Sequence, residues 1–477
     1  MIPALALLLA AEAAPAHMAE KPAIGPLPAL RLQAPTTFTL PNGLRVIAVP
    51  RHAAPIVALQ LVVRSGADAD PPALAGLAAA TADMMDEGAG DRDALAVARD
   101  LEALGAELFL GASRDGSVLS LNVPSPGFEA ALAIAADVAL RPRFAEADWA
   151  RVQNDRVTGL VQRRDQPEAV AGLVADRVLY GDGHPYGRPA AGYERTVRAI
   201  TAADLRRHYE AHWRPNNASV VVVGDFAPEG LRASLEKAFA AWKKGPVPAA
   251  KAGAAARKRP RLVLVDKPGA PQTVLRLVGP GAARSSPDRP PLALLATVLG
   301  GSFTSRLNFN LREQKGYTYG AGSSFQFLRR PGPFTAASSV FTKVTDAALG
   351  EFLKELGALR TGDVTGEELT KARAMLQQRL AESLSTTGGT AATFADVALY
   401  GLPLDEPVRF TRALEKAQPP ALRKLAVRAI DPATITIVAV GDRKTIEPGL
   451  RALGLPAPEL RDADGEPVSS APAPSPR

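Results

Sequence analysis

Residues 45–63 read RVIAVPRHAAPIVALQLVV, and residues 261–279 read RLVLVDKPGAPQTVLRLVG. Each opens on a short apolar run, passes through a basic, proline-containing turn, and closes on a longer run of Val, Leu and Ile. Strand, turn and buried strand is the succession both support. Matching Leu61 to Leu277 gives an offset of 277 − 61 = 216. Further on, Asp70 of ADPPALAGLAAATA falls opposite Asp288 of DRPPLALLATVLGG, an offset of 218, and Asp225 of SVVVVGDF falls opposite Asp442 of ITIVAVGDR, an offset of 217. Offsets that agree this closely indicate a duplicated unit.

The fold class implied is α+β, with two homologous halves, each a mixed or antiparallel sheet packed with helices, facing each other across a cavity. The halves are assigned to residues 36–244 and 261–455, joined by a Pro/Ala/Lys-rich linker at 245–260. Residues 456–477 run into a Pro/Ala/Ser-rich stretch with no apolar face and are expected to be a disordered tail. Asn42-Gly43, between the strand-like residues near Phe38 and Val46, predicts a type I′ hairpin. Helical periodicity is expected from Pro72 to about Glu87.

At 477 residues, 47% hydrophobic and 22% charged, the composition is that of a folded globular chain of more than one domain. No apolar run reaches the roughly 18 residues a membrane span needs. Of the net charge of +7, much sits in Lys243, Lys244, Lys251, Arg257, Lys258 and Arg259, a run without interleaved aromatics that reads as a solvated connector and not as a nucleic-acid surface. Cysteine is absent, which excludes disulfides, thiolate metal sites and a cysteine nucleophile. The apolar run Ile2 to Ala11, followed by Ala14 and Ala16, fits a signal peptide at residues 1–16. Export to the periplasm is the expectation, with a cytoplasmic location as the alternative.

A second stretch carries chemistry: GGSFTSRLNFNLREQKGYTYGAGSSF, Gly300 to Phe325. It resembles the corresponding segment of the pitrilysin/insulinase family of zinc peptidases, especially bacterial members similar to the mitochondrial processing peptidase. LPNGLRVIAV from Leu40, GHPYGRPAAG from Gly183 and WRPNNASVVVVGDF from Trp213 agree in order, so the resemblance spans residues 36–455. Active members carry H-x-x-E-H on the first long helix: histidines four apart share one helical face and one zinc, and the glutamate beside the second takes a proton from metal-bound water. In this chain the frame reads GLAAATAD, so the ligand and base positions are Ala79, Ala82 and Asp83. The family's later glutamate ligand falls on Gly159. No metal is expected on this chain.

The histidines do not repair the loss. His208 and His212 alone have helical spacing, in RRHYEAHWRP, with no accompanying glutamate in the inverted-motif position, and they read as packing residues. What the resemblance leaves is an arginine and a tyrosine spaced 319 − 312 = 7 apart, Arg312 and Tyr319. In the family such a pair projects from the second half and holds the substrate backbone. Guanidinium and phenol donors suit a peptide carbonyl that gains negative charge. Lys315 and Gly316 read as a helix C-cap, Tyr317 as a packing residue, and Ser302, Thr304 and Ser305 as caps of the next helix.

The function implied is a non-catalytic, substrate-holding subunit of a heterodimeric zinc peptidase. Its partners would be a homologous subunit that carries H-x-x-E-H and the zinc, and a peptide substrate. The alternative is a proteolytically inactive scaffold or peptide-binding protein of the same fold. A self-sufficient peptidase would need a nucleophile or metal site that the sequence does not offer.

Overall fold

Strand-forming and turn-forming residues succeed one another in the same order in both halves, and one sheet results twice. The computed structural model describes residue 30, residues 32–249 and residues 261–468. The expected signal peptide, most of the linker and the last residues of the tail lie outside the described residues.

In the first half Thr36–Thr39 (β1), Arg45–Pro50 (β2), Ile56–Val63 (β3), Glu107–Ala112 (β4), Ser117–Pro124 (β5) and Ala218–Gly224 (β6) form a sheet in the order β1-β2-β6-β3-β5-β4. In the second, Arg261–Asp266 (β7), Gln272–Pro280 (β8), Thr318–Phe325 (β9), Pro333–Phe341 (β10), Thr436–Gly441 (β11) and Glu459–Arg461 (β12) take the order β12-β7-β11-β8-β10-β9. Without the outer strands β1 and β12, the two arrangements are identical. Register repeats as well: Leu61 pairs with Val220 and Leu119, and Leu277 with Ile437 and Ala336.

Several helices build the candidate site and the contact between the halves: Leu77–Asp83 (α1), Glu146–Arg163 (α2) and Pro167–Tyr180 (α3) in the first half, then Arg289–Gly300 (α4), Gly366–Ser385 (α5) and Thr387–Leu399 (α6) in the second. The central strands are apolar on both faces, a pattern that requires cover on both. One face of each sheet packs on helices of its own half. The other face is covered from across the molecule. Ile47, Val49, Ala58, Val62, Val221 and Val223 pack on Ala391, Phe394, Ala395 and Ala398 of α6. Reciprocally, Val263, Val265, Val274, Val278, Val438 and Val440 pack with Val170, Ala171, Val174 and Val178 of α3. The halves thus exchange one helix each. Open space between them remains as grooves, one of which, about 380 Å³, has Gln60, Phe109 and Gly116 on one side and Ala392, Ala395 and Leu399 on the other.

A polar clasp closes the same interface. Arg329, in the turn between β9 and β10, donates Nη1 to Asp68 Oδ2 at 2.7 Å and its backbone N–H to Asp115 Oδ2 at 2.7 Å. Asp115, fully buried in the turn between β4 and β5, also accepts from Tyr186 at 2.5 Å and Tyr400 at 3.1 Å. Tyr186 is the tyrosine of the HPYGRP turn, so that segment serves the contact between halves.

Three expectations change. The residues after 455 are not disordered from 456 onward: β12 pairs in parallel with β7, and Asp464 Oδ2 accepts from Arg164 at 2.7 Å. The leucine of ELR supplies an apolar strand residue that the Pro/Ser-rich composition around it obscures. The β1–β2 connection is not a type I′ turn, because Gly43 (φ 87) is the sole residue of the loop with positive φ; its N–H returns to Leu40 O over Pro41-Asn42 at 2.8 Å. The helical stretch from 72 to 87 is also broken, since Gly76 (φ 99) separates a tight turn at Pro72–Leu74 from α1.

All three tryptophans, Trp149, Trp213 and Trp242, lie in the first half, whereas Phe394 belongs to α6 of the second. Phe394→Ala is expected to destabilise by about 3–5 kcal/mol and to lower the urea midpoint read by tryptophan fluorescence. An unchanged tryptophan transition would mean that the first sheet does not depend on the exchanged helix.

Candidate functional site

The start of α1 is fixed by one carboxylate. Asp70 accepts from the backbone N–H of Gly76 at 2.8 Å and of Ala78 at 2.9 Å. Its pKa is pushed up to about 7 by burial, against the lowering effect of those hydrogen bonds and of Arg188. Along α1, Ala79 is half-buried and Ala82 fully buried, and both present only methyl groups. Asp83 forms an ion pair with Arg156 of α2, whose other Nη donates to Ala191 O at 3.2 Å. Gly159 is three residues further along α2 on an open face, where an added Cβ would meet nothing within 4 Å.

Ala79, Ala82, Asp83 and Gly159 are therefore gathered on two facing helices, and they do not fit a zinc ion. Two positions lack a donor atom, one lacks a side chain, and the remaining carboxylate is already matched by a guanidinium. Asp86 nearby is pushed up to about 6 by burial, with Glu87 and Asp83 adding to the rise. Glu87 in turn pairs with Arg151. Among the described residues no group of three His, Cys, Asp or Glu is placed to hold a metal. In the second half Arg379 of α5 donates to Gly301 O at 3.0 Å, just past the end of α4. A guanidinium at the end of α4 is favourable because it faces the negative end of the helix dipole.

His208 and His212 sit together with ring centroids 4.6 Å apart. His212 Nδ1 is 3.1 Å from Ser65 Oγ, while buried His208 Nε2 has no partner. Burial depresses both; in His208, with a smaller contribution from His212, the pKa falls from the ordinary 6.5 to about 3. Two neutral imidazoles without a third ligand are packing residues.

Arg312 and Tyr319 are presented by irregular backbone. Gly300 lets α4 press on β9, where a Cβ would stand 2.3 Å from Ser323 N. After the single helical turn Arg306–Asn308, Phe309–Gln314 is π-helical, and the N–H of Lys315 reaches back five residues to Asn310 O at 3.0 Å. Asn310 anchors this turn by donating to Glu351 at 2.8 Å and Glu355 at 2.7 Å. The Arg312 guanidinium lies 4.4 Å above the Phe303 ring, with its Nε 3.5 Å from Glu313. Phe303 is 60% exposed, so the platform stands at the surface. Gly316 (φ 64) ends the turn as a C-cap, with its N–H on Arg312 O at 3.1 Å.

The register of β9 against β10 then slips between Thr318, opposite Val340, and Ala321, opposite Ser338. Tyr319 and Gly320 form the resulting bulge, which Thr318 and Ser338 hold with hydroxyls donated to Gly320 O at 3.0 and 2.8 Å. Tyr319 is 78% exposed, its ring edge-on to Phe341 at 6.1 Å. Beside the bulge, Ser339 Oγ donates to Glu168 of α3 at 2.7 Å, which ties this rim to the chain segment following α2.

The sequence reading missed Phe303, the ring beneath the Arg312 guanidinium. An aromatic in the midst of Gly, Ser and Thr was the available signal for Phe303. Ser305 stands at a helix N-cap but does not cap; its hydroxyl donates to Ser302 O.

Two family models match the chain: "Insulinase (Peptidase family M16)" over residues 45–171 and "Peptidase M16 inactive domain" over residues 199–376. An uncharacterized zinc protease of Mycobacterium leprae is 27% identical over 350 residues, covering 69% of this chain and 78% of that protein. An uncharacterized zinc protease of Bacillus subtilis is 22% identical over 353 residues, covering 73% and 84%. Among solved structures, a peptidase M16 inactive domain from Pseudomonas fluorescens superposes with a TM-score of 0.80 at 26% identity, over 86% of this chain and 98% of that one. A chain of complex III2 from Candida albicans shares the fold with a TM-score of 0.73 at 15% identity, over 87% and 99%.

Because the folded state holds His208 neutral, the unfolded chain binds the extra proton between pH 6.5 and about 3, and stability falls as pH drops through that window. Asp70 and Asp86, with raised pKa values, act in the opposite direction below about 7 and 6. The comparison is therefore between wild type and His208→Phe. Urea unfolding should show wild type losing up to about 1.4 kcal/mol more per pH unit than the variant between pH 6.5 and 5. Equal slopes would contradict a neutral buried His208.

Proposed function

Since the chain belongs to the insulinase family, peptidase family M16, we propose that it is the substrate-holding, non-catalytic member of a two-chain zinc peptidase. A homologous partner with H-x-x-E-H would bring the metal. This chain would supply Arg312 and Tyr319.

What supports this reading is the backbone on which the two residues stand. A π-helical turn and a β-bulge are uncommon, and both kinds of irregularity concentrate at functional sites. Here one carries Arg312 and the other Tyr319. Neither residue belongs to a buried core: Tyr319 is largely exposed, and Arg312 rests on an exposed ring. A scaffold would have no use for that arrangement.

The chemistry is donation. Arg312 N–H groups and the Tyr319 hydroxyl would point at a carbonyl oxygen of an extended peptide and stabilise the negative charge it acquires. Phe303 restricts the guanidinium before the peptide arrives, which reduces the ordering required on binding. Ala79, Ala82, Asp83 and Gly159 contribute no proton transfer in this scheme. The second reading, an inactive scaffold or peptide-binding protein, is favoured by the Asp83–Arg156 pair, which fills the degenerate site with the protein's own charges.

The test is cleavage of fluorogenic peptides, with zinc present, by this chain, by a homologous H-x-x-E-H chain encoded beside it, and by the mixture. Activity should appear in the mixture alone. Arg312→Ala should lower kcat/KM by about 10²-fold or more while the complex still forms. Cleavage by this chain alone, or a silent complex, would contradict the proposal.

A further inference from the structure

Asn308 ends the helical turn Arg306–Asn308 and is buried, with 5% of its surface exposed. Both ends of its amide are engaged. Nδ2 donates to Phe303 O at 2.6 Å, and Oδ1 accepts from the backbone N–H of Ala321 at 3.1 Å. One partner can only accept and the other can only donate, so the orientation of the amide is dictated by its surroundings.

The two partners are not arbitrary pieces of backbone. Phe303 supplies the ring beneath the Arg312 guanidinium. Ala321 is the residue at which β9 regains its pairing with β10 after the bulge that carries Tyr319. One buried side chain therefore joins the segment that supports Arg312 to the strand that carries Tyr319. Asn308 also lies directly before the π-helical turn, so a displacement of either partner is transmitted to Arg312 along the backbone as well.

We propose that Asn308 is a positioning residue that sets Arg312 and Tyr319 at a fixed separation, so that both can reach one stretch of extended peptide backbone. This rests on the reading of those two residues as substrate-holding. Asn308 touches no substrate itself. It acts through Phe303 on one side and through the bulge on the other, and an aliphatic residue of the same size would fill the space without making the link.

Two variants test it. Asn308→Leu keeps the volume and removes both hydrogen bonds. Asn308→Asp keeps the acceptor for Ala321 but, when ionised, sets a carboxylate oxygen against Phe303 O; when protonated, its hydroxyl can donate there again. Amide hydrogen exchange at pH 7.5 is expected to be at least tenfold faster over residues 302–305 and 318–322 in both variants, with the α4 segment 292–299 unchanged. Compared with wild type at the same pH, Asn308→Asp should regain protection by pH 5, and Asn308→Leu should not. That split would not arise from a merely weakened fold. Unchanged exchange in both segments, a rise shared by the whole chain, or an Asn308→Asp variant that fails to recover in acid would overturn the proposal. In the two-chain cleavage assay both variants should lose activity as fully as Arg312→Ala at pH 7.5. If the wild-type mixture is silent, the substrate-holding reading fails, and the exchange result still decides whether Asn308 links the two segments.

Discussion

A sheet with two apolar faces needs cover on both, and neither half of this chain can cover its own. Each half extends one helix across the other's sheet, α6 over the first and α3 over the second. The reciprocity fixes the halves against each other more firmly than a flat contact would, since sliding one sheet uncovers two apolar faces at once. The Arg329–Asp68–Asp115 clasp then sets the angle with hydrogen bonds from buried groups. Everything of functional interest hangs on this frame. Helix α2 leads directly into α3, and α3 meets Ser339 beside the bulge of Tyr319, so the degenerate helices are linked to the strand next to that bulge.

Loss and retention are unevenly distributed over the two halves. In the first half the positions of Ala79, Ala82, Asp83 and Gly159 lie on regular helices. Asp83 is paired with Arg156, so the one carboxylate at these positions is held by the protein's own charge. In the second half the backbone departs from regularity at the two places where side chains with donors remain. A π-helical turn carries Arg312, and a bulge on the edge strand carries Tyr319.

Much of this was legible from sequence. The duplication could be read from three landmark pairs, Leu61 with Leu277, Asp70 with Asp288 and Asp225 with Asp442, because those residues stand in strands or at the ends of strands and helices and are tied to fixed places in the fold. Ala79 and Ala82 could be read because a missing side chain is unambiguous. The exchange of α3 and α6 could not, since an apolar helix does not say which sheet it will cover. Nor could β12, whose single leucine stands in Pro- and Ser-rich surroundings. The bulge at Tyr319 and the double role of Asn308 depend on backbone pairing between residues that the chain order separates, and no local pattern announces them.

The central claim is that Tyr319 and Arg312 face a bound peptide although, among the described residues, no group of three His, Cys, Asp or Glu is placed to hold a metal. A photoreactive benzoylphenylalanine placed at Tyr319, with a control at Leu95, which is 82% exposed elsewhere on the first half, tests it directly in the two-chain complex with a labelled peptide. Crosslinking of the peptide from position 319 and not from position 95, competed by unlabelled peptide, is the predicted result. Equal labelling from both positions, or none from 319 in a complex that cleaves the peptide, would contradict it.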